Sequence, residues 1–103
     1  MDIGERRQAN ILVLAPVGRI DNLTSTEFQA RLLAAVGVSS ADVIVDFSRV
    51  EYISSAGLGV LLKTQKRLLG SGGKLRLVGV NNHLNDVLGY SGFDQIFEIQ
   101  RAR

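Results

Sequence analysis

The stretch Val43-Ile44-Val45-Asp46-Phe47-Ser48-Arg49-Val50-Glu51-Tyr52-Ile53-Ser54-Ser55-Ala56-Gly57-Leu58-Gly59-Val60-Leu61-Leu62 holds two kinds of structure within twenty residues. Val43 to Phe47 is a short, mostly β-branched run that reaches a carboxylate at Asp46, the pattern of a buried strand. From Ser55 the period changes. Leu58, Leu61, Leu62, Gln65, Leu68 and Leu69 recur at helical spacing, with Lys63, Lys66 and Arg67 on the wet side, so a helix runs over about 55–69. Gly70-Ser71-Gly72-Gly73 ends it.

The same alternation extends in both directions. Upstream, Ile3 to Arg7 and Ile11 to Val17 read as strands joined by Gln8-Ala9-Asn10. The second is apolar at nearly every position, as a strand covered on both faces would be, and Pro16 weakens pairing near its end. Thr24 and Glu27 have capping-box spacing, and Leu23 and Phe28 that of a hydrophobic staple. Phe28, Leu32, Ala35 and Val36 share one helical face, and Gly37 is expected to stop that helix. Downstream, Lys74 to Val78 alternates as a strand with one wet face. His83 to Gly89 forms a short helix that His83 starts or caps, and Ile96 to Ile99 is the closing strand. Phe47, Phe93 and Phe97 are expected in the core. Strands alternating with helices predict an α/β fold with a mixed, mostly parallel sheet of four to five strands and three to four helices. No repeat or linker interrupts the chain, so 1–103 is expected to be a single domain.

Composition removes several classes of function. Hydrophobic residues make up 46% of the 103 and charged residues 21%, which excludes disorder. The absence of cysteine removes disulfide scaffolds, thiol nucleophiles and thiolate metal sites. A single histidine, His83, leaves little for a His-based metal centre or a serine triad, so no metal, cofactor or catalytic residue is expected. A net charge of +2 is too small for direct nucleic-acid binding. Arg6, Arg7, Arg101 and Arg103 lie near the ends, where flexible termini commonly carry them. The longest apolar run, Ile11 to Val17, is far short of a membrane span. Glu5-Arg6-Arg7 before it mimics a signal peptide, but no small-x-small site follows. A soluble, cytoplasmic protein without membrane insertion is expected.

In open α/β sheets, sites gather beyond the carboxyl ends of the parallel strands, where helix N-termini also point. Asp21, Asp46 and the pair Ser54-Ser55 are expected there. Either serine hydroxyl could cap the helix, and a phosphate placed there would meet free amides and the positive end of the helix dipole. Gly57 and Gly59 sit in the first helical turns, where each costs about 1 kcal/mol against alanine. They either leave the backbone around Ser55 bare for another molecule or let the helix pack tightly on the sheet, and spacing alone does not separate the two.

The segment from Asp46 to Leu62 resembles the signature of STAS domains, specifically the bacterial anti-sigma factor antagonists. Gly18-Arg19-Ile20-Asp21 is similar to that family's Gly-x-Leu/Ile-Asp motif, and Leu84 to Phe93 to its closing helix and turn. The resemblance implies helices lying mainly along one side of the sheet. It also implies a switch rather than an enzyme: the unphosphorylated antagonist binds an anti-sigma factor serine kinase and frees the sigma factor. Phosphorylation blocks binding, and a metal-dependent serine phosphatase reverses it. The family motif is commonly Asp-Ser-Ser/Thr-Gly-Leu. Aligned on Gly57-Leu58, the phosphosite falls on Ser55, with Ser54 as second choice because it replaces the family's aspartate; Ala56 replaces the second hydroxyl residue. The implied partner surface is Asp21, Asn22, Asp46, Tyr52, Ser54, Ser55, Ala56, Gly57, Leu58 and Gly59, on a monomer or weak dimer.

Other signals are weaker. Gly70-Ser71-Gly72-Gly73-Lys74 lacks the Ser or Thr after lysine that a phosphate loop needs, and it joins a helix to a strand. His83 as a phosphohistidine carrier, and Asp21 with Asp46 as a receiver-type acidic site, lack the surrounding residues such sites use. Asp21 and Asp46 also fit plain turn-capping roles. Two rivals stay open: a non-phosphorylated STAS scaffold subunit of a lipid or anion transport assembly, and a small ligand-binding module at the strand ends.

Overall fold

The computed structural model describes residues 1–38 and 42–102. The elements in order are β1 (Ile3–Gln8), β2 (Ile11–Pro16), β3 (Gly18–Ile20), α1 (Ser25–Val38), β4 (Val43–Asp46), β5 (Val50–Ile53), α2 (Ser55–Gly70), β6 (Leu75–Val80), α3 (Asn82–Tyr90), a 3₁₀ turn at Phe93–Gln95, and β7 (Glu98–Arg101). Five strands form one sheet in the order β1-β2-β4-β6-β7. β1 and β2 are an antiparallel hairpin, and every other pair in that sheet is parallel. The α/β fold and mixed sheet are as expected. The two-stranded parallel ladder of β3 and β5 is additional.

Register decides which residues meet the helices. Leu12 and Leu14 of β2, Val43 and Val45 of β4, and Leu75 and Leu77 of β6 join one core cluster with Phe28 and Leu32 of α1, Leu61 and Leu68 of α2, and Leu84 and Leu88 of α3. Successive strand residues point to opposite faces, so the alternate row Val13, Ile44 and Arg76 lies on the other side of the sheet. The apolar run of β2 suggests a strand covered on both faces. Its second face, Val13 and Ala15, instead lines an open depression of about 210 Å³ with Gly4, Glu5, Arg6 and Asp46. The apolar residues there reflect an interior strand crowded by its neighbours rather than a second helical layer.

Gln65 ties three elements together. Its side chain is buried; Oε1 accepts from the Leu75 amide at 2.8 Å and Nε2 donates to the Ile96 carbonyl at 3.1 Å. Beside it, Leu58 and Leu62 are partly buried against the core, and Val60 and Thr64 complete the inner face of α2. Leu69, expected on that face, is 59% exposed, because Leu68 already fills the position over the sheet in the last turn.

Several local expectations are corrected. Leu23 is 90% exposed while Phe28 is fully buried, so no staple forms. Thr24 makes no capping box with Glu27: its hydroxyl donates to the Arg19 carbonyl, and Glu27 holds the amino group of Met1. Gly37 lies inside α1, which continues to Val38. His83 is not the cap of α3, since Asn81 is, its side chain accepting from the Leu84 amide at 2.8 Å. Arg101 is not on a loose tail either, for it lies in β7 and its guanidinium donates to Asn82. Arg103 lies outside the described residues.

Candidate functional site

The β3–β5 ladder builds the site. Gly18 enters β3 with φ of +96°, a conformation glycine adopts without strain, and its amide donates to the Arg49 carbonyl. Arg19 then pairs with Tyr52, and Ile20 with Ile53. Ile20 and Ile53 are buried, while Arg19 and Tyr52 face outward. The Ser54 amide donates to the Ile20 carbonyl at 2.8 Å, extending the ladder by one bond. Asp21 and Ser54 therefore leave the two strands side by side.

Asp21 closes an Asx turn. Its Oδ1 accepts from the amides of Leu23 at 2.9 Å and Thr24 at 3.1 Å, and its own amide donates to the Thr24 hydroxyl oxygen at 2.9 Å. The bonds to Oδ1, that of Thr24 first, hold the carboxyl below its ordinary value of 3.8, with a smaller contribution from Arg19. Asn22 and Leu23 stand exposed at the tip of this turn. Arg19 places its guanidinium carbon 4.5 Å from the centre of the Tyr52 ring, with Nε 3.9 Å from Asp21 Oδ2.

On the β5 side the two serines have different environments. Ser54 is the N-cap of α2, with extended backbone and its Oγ accepting from the Gly57 amide at 3.2 Å. Ser55 is the first helical residue and is exposed, and its hydroxyl makes no hydrogen bond among the described residues. Ala56 beside it is exposed too. The glycines also divide. A Cβ on Gly57 would stand 2.7 Å from Ile53 Cγ1 and 2.8 Å from Ile20 Cγ2, so this glycine lets α2 sit tightly on the ladder. A Cβ on Gly59 would meet nothing within 4 Å. Gly59 is four residues after Ser55, on the same helical face. Leu58 between them is turned partly into the core.

Asp46 does not belong to this group. Its position in β4 puts it on the helix-free face, in the depression with Arg6 and Val13. There Oδ1 accepts from the Ser48 amide at 2.9 Å and covers the backbone of Gly79 so closely that a Cβ on that glycine would lie 2.7 Å away. It closes the turn after β4 from the face of the sheet away from the helices. Arg19 and Leu23 are the opposite case: neither is among the site residues expected from the sequence, yet Arg19 lies against Tyr52 and Asp21, and Leu23 is exposed in the Asp21 turn. Arg19 fills the open position of the Gly-x-Leu/Ile-Asp motif and carries no signal there, and the exposure of Leu23 has no sequence signal either.

At the strand ends, the crevice between Phe47, Ile53, Leu84 and Leu88 is apolar and has no room for a water molecule. Among the described residues there is no group of three or more His, Asp or Glu able to share a metal ion. No helix there is long and apolar enough to cross a membrane.

Fold and site together define a small α/β domain that presents a capped helix start, flanked by a rigid acidic turn, as a surface feature. A family model described as "Mlab, STAS domain" matches residues 3–100. The chain belongs to the STAS domain family. It is 33% identical over 93 residues to BtrV of Bordetella bronchiseptica, provisionally named as an anti-sigma factor antagonist, covering 90% of this chain and 80% of BtrV. The fold is similar to that of a Thermotoga maritima protein with the same provisional description, with a TM-score of 0.89 at 23% identity over 95% of this chain and 85% of that one. It is also similar to the anti-sigma factor antagonist SpoIIAA in its unphosphorylated form, with a TM-score of 0.84 at 18% identity over 99% of this chain and 89% of that one. The phosphorylated form of SpoIIAA, from Bacillus, gives 0.76 at 19% identity over 99% and 92%.

Proposed function

We propose that this chain is an anti-sigma factor antagonist that works as a phosphorylation-controlled docking switch. In its unphosphorylated form it binds an anti-sigma factor serine kinase and so releases a sigma factor. Phosphorylation of Ser55 blocks that complex, and a metal-dependent serine phosphatase restores it. The protein is the substrate and switch, not the catalyst, and acts in the cytoplasm. The observation that supports this reading most is the division between the serines: Ser54 is occupied as the cap, while the Ser55 hydroxyl is exposed and, among the described residues, unbonded at the first position of α2. The similarity to BtrV points the same way.

The physics of such a switch is favourable. Phosphorylation adds roughly −1.5 to −2 charges at neutral pH. At a helix start those charges meet the positive end of the dipole, so the fold tolerates them. A partner packed over Ser55, Ala56 and Gly59 tolerates neither the bulk nor the charge. Weakening a complex a thousandfold needs only about 4 kcal/mol.

The test is incubation with the cognate serine kinase and ATP, followed by mass analysis of the peptide holding Ser54 and Ser55. Phosphate on Ser55, lost in Ser55→Ala, is the expected result, with Ser55→Asp losing kinase binding at an unchanged melting temperature. Phosphate that persists in Ser55→Ala moves the site to Ser54. A second reading has one observation behind it: the family's aspartate is replaced by Ser54, which keeps the capping bond but not the negative charge. No phosphate on either serine would favour that reading, a non-phosphorylated scaffold subunit of a lipid or anion transport assembly.

A further inference from the structure

The Arg19 side chain lies on the β3–β5 ladder, between Tyr52 and Asp21, without a firm partner among the described residues. It is 59% exposed, and its Nε lies 3.9 Å from Asp21 Oδ2, beyond hydrogen-bonding range. Its main contact is the face of Tyr52. Contacts of this kind at exposed sites are weak, whereas a guanidinium meets a phosphate through paired, charge-assisted hydrogen bonds. Asp21 is the reverse case. Two amide bonds to Oδ1 hold it in the turn that starts α1, so it cannot withdraw from a new negative charge without opening that turn.

The ladder register sets the distance. Arg19 pairs with Tyr52 across the ladder, and Ser55 follows three residues later, past the end of β5 at Ile53 and the cap at Ser54, so the Tyr52 and Ser55 Cα atoms are at most about 10–11 Å apart. That gap is within the combined reach of an extended arginine and a phosphoseryl group. The approach of Nε to Asp21 shows the side chain already leaning along the ladder toward its serine end.

We propose that Arg19 is a movable phosphate ligand: it rests over Tyr52 while Ser55 is unmodified and swings onto the phosphate once Ser55 is phosphorylated. This rests on reading Ser55 as the modified residue. The fixed carboxylate of Asp21 makes the incoming phosphate unfavourable, and the guanidinium relieves both charges at once. The docking surface then changes in two places, gaining a phosphate at Ser55 and exposing the Tyr52 ring. A partner reads both.

The test does not require the kinase. Phosphoserine is installed at position 55 by genetic code expansion, in the otherwise unchanged protein and in Arg19→Gln, and the second ionisation of the phosphate is followed by ³¹P NMR. Helix dipole and Asp21 act equally in both proteins, so the difference isolates Arg19. The expected result is a second ionisation lower by roughly 0.5 unit or more when Arg19 is present. The second readout is tyrosine fluorescence in a Tyr90→Phe background, which leaves Tyr52 as the single tyrosine of a chain without tryptophan. Installing the phosphate changes Tyr52 emission with Arg19 present and not in Arg19→Gln. Equal ionisation in the two proteins, or equal emission changes, overturns the inference. A kinase that ignores Ser55 would instead overturn the proposed function and leave this measurement standing.

Discussion

Gly57 and Gly59 look equivalent in the sequence, and the structure predicts opposite responses to one added methyl group. At Gly57 that methyl would lie 2.7 and 2.8 Å from two isoleucine carbons, about 1 Å inside normal contact. Neither isoleucine has room to yield, since Ile20 is 0% and Ile53 5% exposed and both help form the core. Overpacking of this kind costs about 1–3 kcal/mol, against which a Gly→Ala change in a helix returns up to about 1 kcal/mol. Gly57→Ala is therefore expected to lose up to about 2 kcal/mol net. Gly59→Ala meets nothing within 4 Å and is expected to gain up to about 1 kcal/mol. For a domain of this size each kcal/mol moves the melting temperature by about 4–8 °C. Thermal unfolding followed by circular dichroism, with urea titrations as a check, places the two variants on opposite sides of the parent. Two variants that both melt higher would refute the account of how α2 is seated on the β3–β5 ladder. A destabilised Gly59→Ala would refute the openness of the helix face next to Ser55.

Three further outcomes are expected. Ser54→Ala removes the acceptor for the Gly57 amide and costs about 1 kcal/mol in urea denaturation, while Ser54→Asp, which keeps an acceptor, restores most of it. Gln65→Leu leaves the Leu75 amide without its acceptor in the core and the Ile96 carbonyl without its donor; a loss of about 1–3 kcal/mol by the same titration is expected, and a neutral result would mean water replaces both. Because the folded Asp21 carboxyl ionises below its ordinary value of 3.8, its contribution to stability is fully present above that value and is lost as pH falls through the folded one. Asp21→Asn keeps a side-chain acceptor for the turn but lacks the ionised form's contribution, so it is expected to be less stable than the parent near pH 7, with the difference shrinking below about pH 4 and a flatter acid limb of the stability–pH curve.

The elements with a strong internal period are legible in the sequence itself. The inner stripe of α2, the β-branched run of β4 and the hairpin of β1 and β2 are each dictated by their own side chains. β3 and β5 are not. β3 has three residues, too few to show a period, and β5 buries only Val50 and Ile53 at its ends, which is neither alternation nor an apolar run. Their pairing is a long-range event between short segments, and the geometry of the site depends on it. The face that Asp46 occupies has the same origin. A strand-end carboxylate is visible, but which face it occupies depends on the parity of its register with β2 and β6, and one residue's shift would reverse it.

On the proposed reading, that dependence explains how the site would accept two charge states. Asp21 and Ser54 are each satisfied locally, by the Asx turn and by the capping bond, before any partner arrives. Ile20 and Ile53 beneath them fix the spacing of the two loops through the core, so the spacing is not set by charges at the surface. A modification at Ser55 thus adds charge to a frame that does not need that charge to hold its shape. The cost falls on whatever is docked outside, which is the condition a docking switch has to meet. Ser54→Asp tests this separation directly. If the frame is indifferent to charge at the start of α2, the variant changes kinase affinity and leaves unfolding nearly untouched. A matching loss in both would mean that the cap and the switch are the same device.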